Sequence, residues 1–150
     1  MSLEQIFSVA GMCAMAGWLV LLFAPSGWIR PRILVMPMAF GLGILYVALI
    51  GAFWTQTSGG FDSLADVAAL FGHPGALLAG WVHYLAFDLL VGLWEREEAQ
   101  RIGLSRLLLA PCLLLTFMFG PAGWLAFLAL RHYRLQTGGE PEALRPTLPA

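Results

Sequence analysis

Charged side chains divide this chain before any other feature does. None lies between Glu4 and Arg30, Arg32 and Asp62, Asp66 and Asp88, or Arg106 and Arg131. Each interval can hold the ~20 apolar residues needed to cross a hydrocarbon core, where an ion costs several kcal/mol. The pattern predicts an all-α protein, a bundle of four transmembrane helices at roughly residues 5–24, 33–54, 74–95 and 106–131, the third enclosing Asp88. A cleaved leader is the rival reading of the first segment. Glu4 stands where a basic leader start belongs, so the segment is read as a retained span.

Short connections make neighbouring helices antiparallel and unite residues 1–134 in one membrane domain. Pro25, Ser26, Gly27 and Arg30 break the first turn, and Pro31 is placed to begin a helix. Thr55-Gln56-Thr57-Ser58-Gly59-Gly60 reads as a flexible polar loop. Ser63 followed three residues later by Asp66 resembles a helix-start box, and Leu64, Val67, Ala68, Leu70 and Phe71 are read as one face. A short interfacial helix is therefore expected between the second and third spans. Residues 135–150, with Gly138-Gly139, prolines and scattered charges, predict a disordered tail.

Composition agrees with this picture: 59% of residues are hydrophobic and 11% charged, against about 25% charged in soluble proteins. A net charge of −1 excludes a nucleic-acid surface and a polybasic lipid anchor. Lys and Asn are absent, a bias expected of a GC-rich genome, and without a lysine amine no retinal-type Schiff base can form. Cys13 and Cys112 each lie in an apolar run, which leaves no disulfide framework or thiolate cluster. Arg30, Arg32, Arg96, Arg101 and Arg106 outweigh Arg131, Arg134 and Arg145, which places the two short Arg-bearing loops in the cytoplasm. Gly11, Ala14, Gly17, Ala39, Gly43, Ala76 and Gly80 would let helices approach closely, within one chain or between copies in a homo-oligomer.

An ionisable group inside a span is costly, and each is therefore a functional candidate. The third span carries Trp81, His83, Tyr84 and Asp88 within roughly 6 Å of its midpoint. Tyr84 and Asp88, four apart, share a face; His83 and Asp88 diverge by about 140° and could flank one cavity without touching. The bland alternative is that Asp88 only bonds or ion-pairs across helices. Glu95, Arg96, Glu97 and Glu98 are expected as a solvated interfacial turn.

In the fourth span Pro111 cannot donate to the carbonyl of Leu107, and Pro121 frees that of Phe117, so kinks are expected. Thr116, Phe117, Phe119, Gly120 and Pro121 then form either an aromatic-lined wall at the depth of His83 and Asp88, or a packing kink with Thr116 bonded back to its own helix. Pro37 and Tyr46 read as packing. His73 and His83 are about 15 Å apart along the axis and cannot share a metal or haem, and no zinc-type spacing exists. Neither a metal nor a cofactor is expected.

The string Trp81-Val82-His83-Tyr84-Leu85-Ala86-Phe87-Asp88-Leu89-Leu90-Val91-Gly92, then Pro111 through Thr116, and above all Met118-Phe119-Gly120-Pro121-Ala122-Gly123, resembles the abscisic-acid-deficient-four-like membrane family. That family includes the plant neoxanthin synthases and bacterial relatives. The likeness is best from about Phe61 to Arg131, and the first two helices agree in layout. The codon bias and the lack of a plastid-type extension point to a bacterial member in the inner membrane.

The resemblance implies an isomerisation of an epoxy-carotenoid: the epoxide opens and an allene forms by proton loss, with no redox change. Such a step needs an acid, a base and a dry slot for a polyene. A low-dielectric site favours the neutral forms of carboxyl and imidazole, which suits them to proton transfer. Asp88 and His83 are the expected acid and base, in either order, with Tyr84 a further donor. Trp81, Phe87, Phe117 and Phe119 would line the slot. The competing expectation is a non-catalytic membrane protein that binds a carotenoid, quinone or lipid, or assists assembly of a complex.

Overall fold

A computed structural model describes residues 1–25 and 31–137. All regular structure in them is helical: α1 (Leu3–Phe23), α2 (Pro31–Phe53), a 3-10 turn at Trp54–Gln56, α3 (Leu64–Phe71), α4 (Pro74–Arg101), α5 (Arg106–Phe119) and α6 (Pro121–Thr137). The turn expected over Ser26–Arg30 and the tail from Gly138 lie outside the described residues, whereas Leu135, Gln136 and Thr137 continue α6. Leu3–Phe23, Pro31–Gln56 and Pro74–Arg101 are each long and apolar enough to cross a membrane.

The segment expected as a fourth span is two helices. Pro111 is accommodated inside α5, and the break falls at Gly120, whose φ of 43° lies in the region that favours glycine. Pro121, without an N–H, starts the next helix. Fourteen residues of α5 rise only about 21 Å, short of the ~30 Å hydrocarbon core. The chain divides into two compact units, residues 1–90 and 91–150, with α4 contributing to both.

In the first unit α1 is closed at its start by a reciprocal box. The Gln5 amide donates to the Ser2 hydroxyl at 3.2 Å, and the Ser2 amide donates to the Gln5 side chain at 2.9 Å. Its buried residues Ala10, Ala14, Gly17, Trp18 and Leu21 form one helical stripe, and Pro31, Val35, Ala39, Leu42 and Leu49 form another on α2. The opposite faces are apolar too: Met12, Leu19, Phe40, Ile44 and Val47 are exposed. A helix apolar on every side suits lipid as solvent. There, helices associate by close packing rather than by escape from water, as Gly17 illustrates: a methyl group on it would sit 2.8 Å from the Leu89 side chain.

The α3 helix confirms the start signal in the sequence. The Ser63 hydroxyl accepts from the Asp66 amide at 3.1 Å and donates to the Asp66 carboxylate. The preceding loop is tied down by Gly59, at φ 89°, and by the Gly60 amide donating to the Asp66 carbonyl at 3.3 Å. Eight residues cannot hold a helix alone in water. Ser63→Ala is therefore expected to cost about 1 kcal/mol, read as faster hydrogen exchange at Val67 to Leu70 with the amides of α1 unchanged.

The second unit comprises the end of α4 with α5 and α6. Thr116 and Gly123, seven residues apart, touch; in a continuous helix that separation would be about 10 Å. The chain therefore folds back at Gly120, and α5 packs along α6. Two contacts lay α6 beside α4 in the same direction: Trp94 on Phe127, with ring centroids 5.5 Å apart, and Glu98 with Arg131.

Candidate functional site

The sequence candidates fall into two groups, one in each unit. On α4 the predicted sharing of a face by Tyr84 and Asp88 is realised: both are half-buried and their side chains are hydrogen-bonded. The hydroxyl donates to one carboxyl oxygen. The other oxygen, Oδ2, is buried and has no partner among the described residues. Trp81 stands beside Tyr84, ring centroids 5.4 Å apart, and against Phe7 of α1 at 5.8 Å.

His83 takes different neighbours. Its ring stacks on Phe87 at 4.5 Å and meets the edge of Tyr46 on α2 at 5.2 Å. The structure thus joins Tyr84 to Asp88 and sets His83 among aromatic rings, consistent with the divergence that five residues impose on a helix. Tyr46, read from sequence as packing, is the partner of this histidine.

His83 also edges an aromatic cavity of about 260 Å³, walled by Tyr46, Phe53, Trp54, Phe61 and Phe71. Two glycines make room for its walls. Gly75 admits the Phe53 ring, and at Gly80 a methyl group would lie 2.6 Å from Phe71. Phe61 reaches the cavity from the loop before α3 and stacks on Trp54 at 5.9 Å.

The candidates from the broken span belong to the second unit. Thr116 is fully buried and donates to the Glu95 carboxyl at 2.8 Å, so it is neither bonded back to its own helix nor free to line a slot. Phe117 is half-buried, Gly120 buried, and Pro121 and Phe119 exposed, the last by 63%. The expected solvated turn is overturned as well: Glu95, Arg96 and Glu98 are buried. Glu98 accepts from Arg101 in a two-pronged pairing at 2.7 Å and from Arg131 of α6. The signal in the sequence was the spacing of Glu95, Glu98 and Arg101, three apart on one helical face. It was hidden because the closing partners, Thr116 and Arg131, come from helices distant in the chain. Among the described residues no three His, Cys, Asp or Glu side chains converge as a metal site would require.

Long helices apolar on every face, with their polar groups gathered against one another, fit a membrane protein. The chain belongs to the ABA DEFICIENT 4-like family, whose profile matches residues 5–127 and so takes in α1 and α2 as well as the motif-bearing helices. No curated protein and no solved structure matches it significantly.

Proposed function

We propose that this protein is a multi-pass protein of a bacterial inner membrane, with α1, α2 and α4 crossing, α3 lying at the surface and the α5–α6 hairpin in place of a simple fourth span. On this reading it isomerises a carotenoid or other isoprenoid lipid without a cofactor. The observation that carries it is the Tyr84–Asp88 pair: a carboxyl group with one oxygen bonded to a phenol and the other buried without a partner among the described residues. A polar group left unsatisfied in a span is costly, and a substrate oxygen at Oδ2 would satisfy it.

The reaction balances without oxidant or reductant. A proton is delivered to an epoxide oxygen as its carbon–oxygen bond breaks, and a proton leaves carbon as the new double bond forms. Asp88, supported by Tyr84, is taken as the donor and His83, on the same helix, as the acceptor, and the two roles can be exchanged. Incubation of the purified protein with an epoxy-carotenoid, followed by product analysis, is the test. Asp88→Asn is expected to lower turnover at least ~10²-fold with folding intact, and His83→Ala to do the same. Full turnover in either variant removes that residue from the mechanism.

The separate surroundings of His83 and Asp88 favour a second reading, a protein that binds such a lipid without converting it. That reading predicts co-purified lipid, no product, and loss of folded protein rather than of turnover when Asp88 is changed.

A further inference from the structure

We propose that the cavity edged by His83 is a binding site for a six-membered ring bearing an oxygen substituent, the head of a membrane lipid whose apolar chain remains among the helices. The inference rests on the reading that the chain takes an isoprenoid-type lipid, and it names the part recognised and the residues that do so.

Size is the first argument. A cavity of about 150 Å³ accommodates benzene, so about 260 Å³ admits a substituted ring, and because Trp54, Phe61 and Phe71 are partly exposed the site is open on one side, where the rest of a lipid can leave it. The walls are the second. Phe53, Trp54, Phe61 and Phe71 present ring faces and edges, surfaces on which a flat or half-chair ring packs well. Polarity is the third. The lining is almost wholly apolar, and its hydrogen-bonding side chains are His83, Tyr46, Trp54 and Thr57, the last already donating to the Trp54 carbonyl at 2.7 Å. A few polar groups in an apolar pocket fix orientation, here by meeting one ring oxygen. Finally, the space is built into the backbone: Gly80 on α4 lets Phe71 lie against the helix, so the ring of Phe71 forms a wall and does not fill the hole.

Oxygenated carotenoids and isoprenoid quinones both carry such a head, and soluble fragments distinguish them. Full-length protein in detergent would be titrated with 3-hydroxy-β-ionone and with ubiquinone bearing one isoprene unit, each beside its analogue lacking ring oxygens. Saturable binding of at least one oxygenated ring is expected, with preference for the hydroxylated ring marking a carotenoid end group and preference for the quinone marking a quinone head. Ile50→Trp, which fills the cavity, should weaken binding of all rings at least tenfold. Gly80→Ala, a smaller change that pushes Phe71 inward, should act in the same direction and serves if Ile50→Trp fails to fold. His83→Leu should leave the deoxygenated analogue bound as before and erase the roughly five- to tenfold preference for oxygen that one hydrogen bond confers.

Absence of saturable ring binding by the wild type overturns the inference, as does unchanged affinity in a folded Ile50→Trp or Gly80→Ala variant. Conversion of epoxy-carotenoid that survives either of these outcomes would leave the isomerase reading standing without this cavity. Ring binding without conversion would do the reverse.

Discussion

Gly123→Ala should destabilise the second unit by an amount at or above the upper end of the ~1–3 kcal/mol typical of overpacking. A methyl group there would lie well under 3.0 Å from the Thr116 backbone nitrogen, Cα and hydroxyl oxygen. Backbone atoms cannot rotate away, so α5 and α6 must separate where they now touch, and Thr116 is drawn off Glu95. The measurement is the thermal or denaturant midpoint of the full chain in detergent, compared with Gly11→Ala. Gly11 has nothing near its added methyl, and removing a helical glycine favours the helix by about 0.5–1 kcal/mol. A Gly123→Ala midpoint equal to that of the wild type would mean that the chain does not fold back at Gly120.

Thr116→Val is the second large effect expected, about 1–3 kcal/mol. Valine keeps the shape of the side chain and deletes the hydroxyl that donates to Glu95 at 2.8 Å. Both residues are fully buried, so water does not readily replace the lost donor, and the penalty is the desolvation of a carboxyl oxygen rather than a lost packing contact. Thr116→Ser should recover most of the loss. Because Gly123→Ala already pulls Thr116 from its partner, the two changes should be clearly less than additive. Additive midpoint shifts would show that Gly123 and Thr116 act on different contacts.

Several helical starts were legible because local rules write them, whereas the ends of α4 and α6 were not. Ser63 and Asp66 announce α3, and Pro31 and Pro74 open α2 and α4 where a missing amide costs nothing. The shared face of Tyr84 and Asp88, and the divergence of His83, follow from 3.6 residues per turn alone. The fate of the broken span was not legible. Pro111 and Pro121 carry the same local penalty, yet only Gly120-Pro121 reverses the chain, because Gly123 then permits a backbone contact that another residue would forbid. The acidic run after Trp94 was misread for a related reason: charge in sequence implies solvent unless partners arrive from elsewhere, and Thr116 and Arg131 do.

Sequence by itself determined the apolar surroundings, the helical class, the family and the shared helical face of Tyr84 and Asp88. Charge spacing, hydropathy and helical periodicity are properties of neighbouring residues and need no knowledge of the packed chain. Tertiary structure alone decided which of those polar groups meet, that Tyr46 faces His83, that α5 and α6 form a hairpin, and that α2, α3, α4 and the segment between α2 and α3 surround an aromatic cavity. These depend on side chains dozens of residues apart arriving at one place. Contacts at van der Waals distance are set by packing, which no local pattern encodes.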